Sequence, residues 1–186
     1  MNSQVLAVDI AAVIVTLIAS VIDVRTTKIP NLLTFPGAAL GIIMNFAFFG
    51  WQRGLLAIAG WFIGVFLSVV IFNTSGRQLA FGDAKLMAAV GAFLGLKVVI
   101  AWMYFAIVYG TYSIVMLGLA FPWKHVGQLV KAASVGTVAS MEQESAEKFN
   151  AARKKKVPSA PFYAAGTILA VALMKPTMSF LGFPDW

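Results

Sequence analysis

Residues 76–95, GRQLAFGDAKLMAAVGAFLG, decide the fold. Asp83 stands there between Gly82 and Ala84, opening a helix of small and apolar residues that runs away from a basic loop. A carboxylate at the end of a membrane helix is costly to desolvate and marks a candidate functional site. One other acid has a comparable place: Asp23, in DVRTTKIPN, where the first hydrophobic segment ends. The remaining sequence determines where these two carboxylates lie.

Working outward, the 186 residues are 60% hydrophobic and only 11% charged, with a mean hydropathy of +0.87. Soluble domains are closer to half apolar and a quarter charged, so the composition is that of a polytopic membrane protein. The chain has room for one bundle, a single domain over 1–186. The formal charge of +7 does not point to nucleic acid, because the cations flank hydrophobic segments and form no stripe. They fit topology signals and contacts with anionic membrane lipid. The absence of Cys excludes disulfides, a thiol nucleophile and Cys-based zinc sites. With His125 the lone histidine, neither a histidine metal site nor a Ser-His-Asp triad is expected. No metal or other cofactor is called for, which leaves carboxylates, Lys, hydroxyls and backbone.

Hydropathy predicts an all-α membrane helix bundle of about six spans. Residues 5–22 form the first, interrupted only by Asp9, which reads as a membrane-interface residue near the outer surface. No Lys or Arg precedes this span, so it reads as retained rather than as a cleaved signal. Arg25 and Lys28 follow at once, placing Asp23 at the cytoplasmic end. Ile29-Pro30-Asn31 breaks the helix near 28–30, since proline disfavours helix at the residue before it. The second span covers 32–49, a short outer loop Gly50-Trp51-Gln52-Arg53 follows, and the third covers 54–73. Gly37, Gly41, Gly60, Gly64, Gly91 and Gly95 suit close helix contact. From Asp83 to Lys97 a helix rises only ~21 Å, so the fourth span is short, with Lys97 at the outer interface and Asp83 recessed at the inner one. The fifth covers 98–121, with Trp102, Tyr104, Tyr109, Tyr112 and Trp123 as candidate interface anchors. Residues 122–160 form a cytoplasmic or interfacial helical loop insertion. Val126, Leu129, Val130 and Ala133 suggest a surface helix, and Glu142, Glu144 and Glu147 before Lys148 and Arg153–Lys156 a second. Val157-Pro158-Ser159-Ala160-Pro161 punctuates before a sixth span, 162–181. Eleven of the fourteen Lys and Arg then fall inside, with both termini outside.

This layout brings Asp23 and Asp83 to one membrane face. Two close carboxyls cannot both ionise cheaply and so share a proton, and their titration belongs to the pair. Such a pair can hydrolyse a peptide bond, one member taking a proton from water while the other polarises the carbonyl. Gly82 removes bulk beside Asp83 and would admit substrate backbone. The helix N-terminus after Asp83 favours negative charge there, which inclines the base-side role towards Asp83. The competing readings are a helix cap for Asp83 and an interfacial pair with Arg25 or Lys28 for Asp23. Two rivals of other classes also stay open: a small ion-coupled transporter and a non-enzymatic membrane scaffold. Coupling sites usually sit mid-span, unlike these two acids.

The residues resemble a known family, the type IV prepilin peptidases, membrane aspartyl proteases of the GxGD type. Asp23-Val24-Arg25 with Ile29-Pro30-Asn31, then Phe81-Gly82-Asp83-Ala84-Lys85-Leu86 with Gly91 and Gly95, carry the likeness, joined by Val157-Pro158 and Pro161 before the last span. The resemblance implies Asp23 and Asp83 as the catalytic pair, with Gly82, Lys85, Arg25, Pro30 and Asn31 as supporting residues. It implies a prepilin substrate whose basic cytoplasmic leader is cut just before a hydrophobic helix, at the cytoplasmic face of the bacterial inner membrane, and possible contact with the pilus or secretion machinery. Ala80 stands where GxGD has its first Gly. No cytoplasmic segment with paired cysteines precedes the first span, which matches the compact peptidase-only form serving Flp/Tad pili, without methyl transfer from S-adenosylmethionine. The oligomeric state is not legible.

Overall fold

The computed structural model describes residues 3–74, 81–120 and 158–180, and every regular element in them is helical. The elements are α1 (Ser3–Thr26), α2 (Asn31–Thr74), α3 (Phe81–Leu94), a 3-10 turn (Gly95–Lys97), α4 (Val98–Ala120), α5 (Ala160–Ala172) and α6 (Met174–Phe180). Among the described residues, three stretches, Ser3–Thr26, Asn31–Val70 and Phe81–Met116, are long and apolar enough to cross a membrane. The chain divides into two compact units, Met1–Val108 with Pro158–Trp186, and Tyr109–Val157. Of the second, the described part is the end of α4. The expected loop helices within 122–157, together with Trp123, His125 and Val157, lie outside the described residues, as do Ala80 and the rest of 75–80.

Helix α1 buries Val8, Ala12, Val15, Thr16, Ala19 and Asp23, which recur at the three- and four-residue intervals of one helical face. Ile10, Ile14, Leu17 and Val21 are exposed on the other side. In water that face would be a liability; in hydrocarbon it costs nothing. The helix stops where the sequence predicts. Thr27 takes a left-handed φ of 52°, and the Thr26 hydroxyl donates to the carbonyls of Ile22 and Lys28. Pro30 then starts α2, its carbonyl accepting the N–H groups of Leu33 and Thr34 at 3.1 and 3.4 Å.

The expected outer loop over 50–53 is corrected to a single residue. Gly50, at φ 77° and ψ −169°, is the one non-helical point in α2, a backbone state open to glycine and strained for other residues. Trp51, Gln52 and Arg53 already belong to the next helical turn. Contacts with α3 show that the chain reverses there. Along the first arm, Gly37, Gly41 and Asn45 meet progressively later residues of α3: Ala89, then Ala92–Phe93. Along the second arm, Leu56, Gly60 and Gly64 meet Gly95, Gly91 and Met87, in descending order. Helix α3 is therefore held between two antiparallel arms, and all its residues from Asp83 to Leu94 except Lys85 are buried.

The glycines expected to pack do so. A Cβ on Gly60 would lie 2.4 Å from the carbonyl oxygens of Gly91 and Gly95, and one on Gly91 would lie 2.1 Å from that of Gly60. In lipid, where apolar burial drives little, such backbone approach and inter-helix hydrogen bonds supply the association. Asn45 adds the latter, its Nδ2 facing the carbonyls of Ala92 and Phe93 on α3 at 3.2 and 3.0 Å, as well as that of Gly41 on its own helix at 2.9 Å.

Gly95, at φ 61°, ends α3, and α4 follows at Val98, as predicted. Trp102, expected as an interface anchor, is instead buried against Phe105, with ring centroids 5.5 Å apart. Phe105 stacks on Tyr163 of α5 at 3.9 Å and 8°. Gly166 permits this approach, since its Cβ would lie 2.7 Å from the Phe105 nitrogen. The sixth span expected over 162–181 is not one helix. It breaks at Leu173, with φ −104° and ψ 14°, because Pro176 has no N–H to return to the Ala172 carbonyl. The Tyr104 hydroxyl joins Thr177 Oγ1 at 2.7 Å beyond the break.

Candidate active site

Asp23 lies in the last turn of α1 and Asp83 in the first turn of α3. Both are 5% exposed. Each carboxylate meets the same two-residue corner at the start of α5. Ser159 Oγ donates to Asp83 Oδ1 at 2.5 Å, and the Ala160 N–H donates to Asp23 Oδ2 at 3.0 Å. Consecutive Cα atoms are ~3.8 Å apart, so one corner ties together acids from two helices.

The local sequence explains the corner. Pro161 lies in the first turn of α5, where its missing N–H costs nothing. The first N–H groups of any helix lack intrahelical partners, and Asp23 accepts one of them. Arg25 and Lys28 are exposed, so the interfacial side of the α1 end faces outward while Asp23 faces inward.

The supporting residues divide into two groups. Lys85 Nζ donates to Asn31 Oδ1 at 2.8 Å and sits 5.6 Å from the centroid of the Phe35 ring. Residues two apart on a helix do not face each other, so Lys85 staples the first turns of α2 and α3 together beside the acids. Gly82 packs against the chain itself: its Cβ would lie 3.3 Å from Ile29 Cβ, just before Pro30. Arg25 is exposed and Pro30 half-buried at the start of α2.

At the other end of the bundle, Asp9, Arg53 and Lys97 act on one another electrostatically. Asp9 and Asp23 are fourteen residues apart on α1, a rise of ~21 Å, while Lys97 lies in the 3-10 turn after α3. Charge at both ends of the bundle brackets an apolar layer between.

Sequence reasoning missed Ser159 and the Ala160 N–H. The signal available was a Ser two residues before Pro161, a helix-start pattern, at the membrane face already assigned to both acids. Nothing local said that the hydroxyl would leave its own helix for Asp83.

Two buried carboxylates from different helices thus meet one corner of an apolar helical bundle, which defines a membrane protein with a two-acid site. The profile of the type IV leader peptidase family matches residues 10–115, more than half of the chain and both acids. The chain belongs to the type IV leader peptidase family. Membership supports a membrane peptidase acting on prepilin-type substrates in general. Comparison with the curated proteins and with the solved structures finds no match.

Proposed function

We propose that the chain is an aspartic endopeptidase of the bacterial inner membrane that removes the basic leader from Flp-type prepilins at the cytoplasmic face. The observation that carries this is the shared corner: two buried carboxylates, sixty residues apart in sequence, hydrogen-bonded to adjacent residues of a third helix. A water between them loses a proton to one carboxylate as its oxygen attacks the scissile carbonyl, whose oxygen takes a proton from the other. Collapse of the tetrahedral intermediate breaks the C–N bond, and the amine leaves with the transferred proton. In this reading the chain has six spans with both termini outside, and the chemistry lies at the inner interface. Exposed Val24 and Phe81 flank the two acids, an apolar setting suited to the hydrophobic helix that follows the leader. Arg25 and Pro30 support the turn after Asp23, and Gly82, Lys85 and Asn31 hold the first turn of α3.

Co-expression with a Flp-type prepilin tests the reading by mobility shift. Wild type removes the leader, whereas Asp23→Asn and Asp83→Asn each lose it by ~10²–10⁴-fold at equal protein level. A scaffold would tolerate both changes. A transporter would lose flux with no processing by any variant. Processing retained by Asp83→Asn would remove that residue from the chemistry.

A further inference from the structure

Ser159 occupies the N-cap of α5, with φ −94° and ψ −26°, yet its side chain makes no capping hydrogen bond to its own helix. A serine there ordinarily accepts an N–H from the second or third residue, a contact worth ~1 kcal/mol. Its hydroxyl is directed instead at Asp83 Oδ1, 2.5 Å away, at the short end of the O–H···O range. The neighbouring Ala160 N–H goes to Asp23. The two acids thus face donors of different kinds. An amide N–H can only donate; a hydroxyl can donate or accept.

We propose that Ser159 is a positioning residue of the aspartate pair, holding Asp83 in place through the protonation change that turnover imposes. This rests on Asp23 and Asp83 being the hydrolytic pair. In that chemistry one carboxylate gains a proton as the other gives one up, so Asp83 alternates between ionised and protonated forms whichever member is the base. The Ser159 hydroxyl donates to Asp83 Oδ1 while that oxygen is bare and accepts from it when it carries the proton. Neither half of the cycle then requires the side chain to find a new partner or leave its rotamer. Ser159 lies outside residues 10–115, the part matched to the family, and the assignment comes from this chain's own contacts.

Ser159→Ala and Ser159→Thr test the proposal. Alanine lowers kcat by ~10–100-fold, the scale of a misplaced reacting group, with KM nearly unchanged, and threonine restores most of the rate. A residue that only started α5 would give a different pattern, with lower thermal stability and an unchanged rate per folded enzyme. A second readout needs no activity. The Asp83 carboxyl stretch, isolated as the infrared difference between wild type and Asp83→Asn, moves in Ser159→Ala and returns in Ser159→Thr. If wild type cleaves no prepilin, the proposed function fails, while the infrared comparison still decides whether Ser159 holds Asp83. An unmoved Asp83 band in Ser159→Ala, or a wild-type kcat in that variant, overturns the proposal.

Discussion

Replacing Gly91 by Ala perturbs the site from a distance, and the structure sets the size of the effect. The added Cβ would lie 2.1 Å from the Gly60 carbonyl oxygen, 2.5 Å from its carbon and 3.1 Å from the Trp61 nitrogen. All three atoms are backbone, so no rotamer change relieves the clash. Ordinary contact begins near 3.4 Å, so α3 and the second arm of α2 must separate by about 1.3 Å at this point. Alanine favours helix over glycine by ~0.5–1 kcal/mol, which opposes the expected loss. Overpacking against atoms that cannot yield costs ~1–3 kcal/mol, leaving a net destabilisation of up to about 2.5 kcal/mol. Asp83 lies eight residues upstream on the same rigid helix, ~12 Å from the substitution. A shift of ~1 Å at a reacting group costs ~10²-fold in rate. Purified Gly91→Ala therefore unfolds at lower temperature and cleaves prepilin ~10–100-fold more slowly. Gly110→Ala serves as control, since its Cβ meets nothing within 4 Å, and it should keep the wild-type rate and melt no lower than wild type. Wild-type heat stability and rate in Gly91→Ala would refute backbone contact between the two helices.

Other expectations are simpler to check. Asn45→Ala strips the carbonyls of Gly41, Ala92 and Phe93 of a buried donor and lowers thermal stability by ~1–3 kcal/mol; an unchanged melting temperature would show the three contacts to be incidental. Lys85→Met removes the staple to Asn31 but leaves the acids in place, so processing falls less than 10-fold, far short of the loss in either aspartate variant. The chain has no Cys, so single cysteines at exposed Leu32 and Trp51 report topology directly. Leu32 lies at the start of the first arm of α2 and Trp51 just past the reversal at Gly50, and the arm between them rises ~26 Å from Leu32 to Phe49. An impermeant maleimide should reach Trp51→Cys from outside intact cells and Leu32→Cys only after the membrane is opened; labelling of both from one side would contradict the inside-facing site.

Local chemistry made much of the fold legible. Ile29-Pro30-Asn31 marks the break between α1 and α2 because proline acts on its own neighbours, whatever packs around them. The start of α4 at Val98 is legible for a similar reason, as Gly95 and Lys97 punctuate an otherwise apolar run. The hairpin of α2 was misplaced by the same local logic. Gly50-Trp51-Gln52-Arg53 looks like a loop, but only Gly50 leaves the helix, because one residue with a positive φ suffices to reverse the chain. Hydropathy makes the last span look continuous, because it does not register the hydrogen bond that Pro176 removes.

The sequence alone determined that this chain belongs in a membrane and that Asp23 and Asp83 are its two exceptional acids. Both follow from sums over neighbouring residues: apolar length against bilayer thickness, and the cost of a carboxylate where water is scarce. Tertiary structure alone decided what those acids touch. Ser159 is 76 residues from Asp83 and Ala160 is 137 from Asp23. A hydrogen bond forms only where docking brings a donor within about 3 Å. That docking depends on backbone contacts such as Gly60 on Gly91, whose partners no local pattern names.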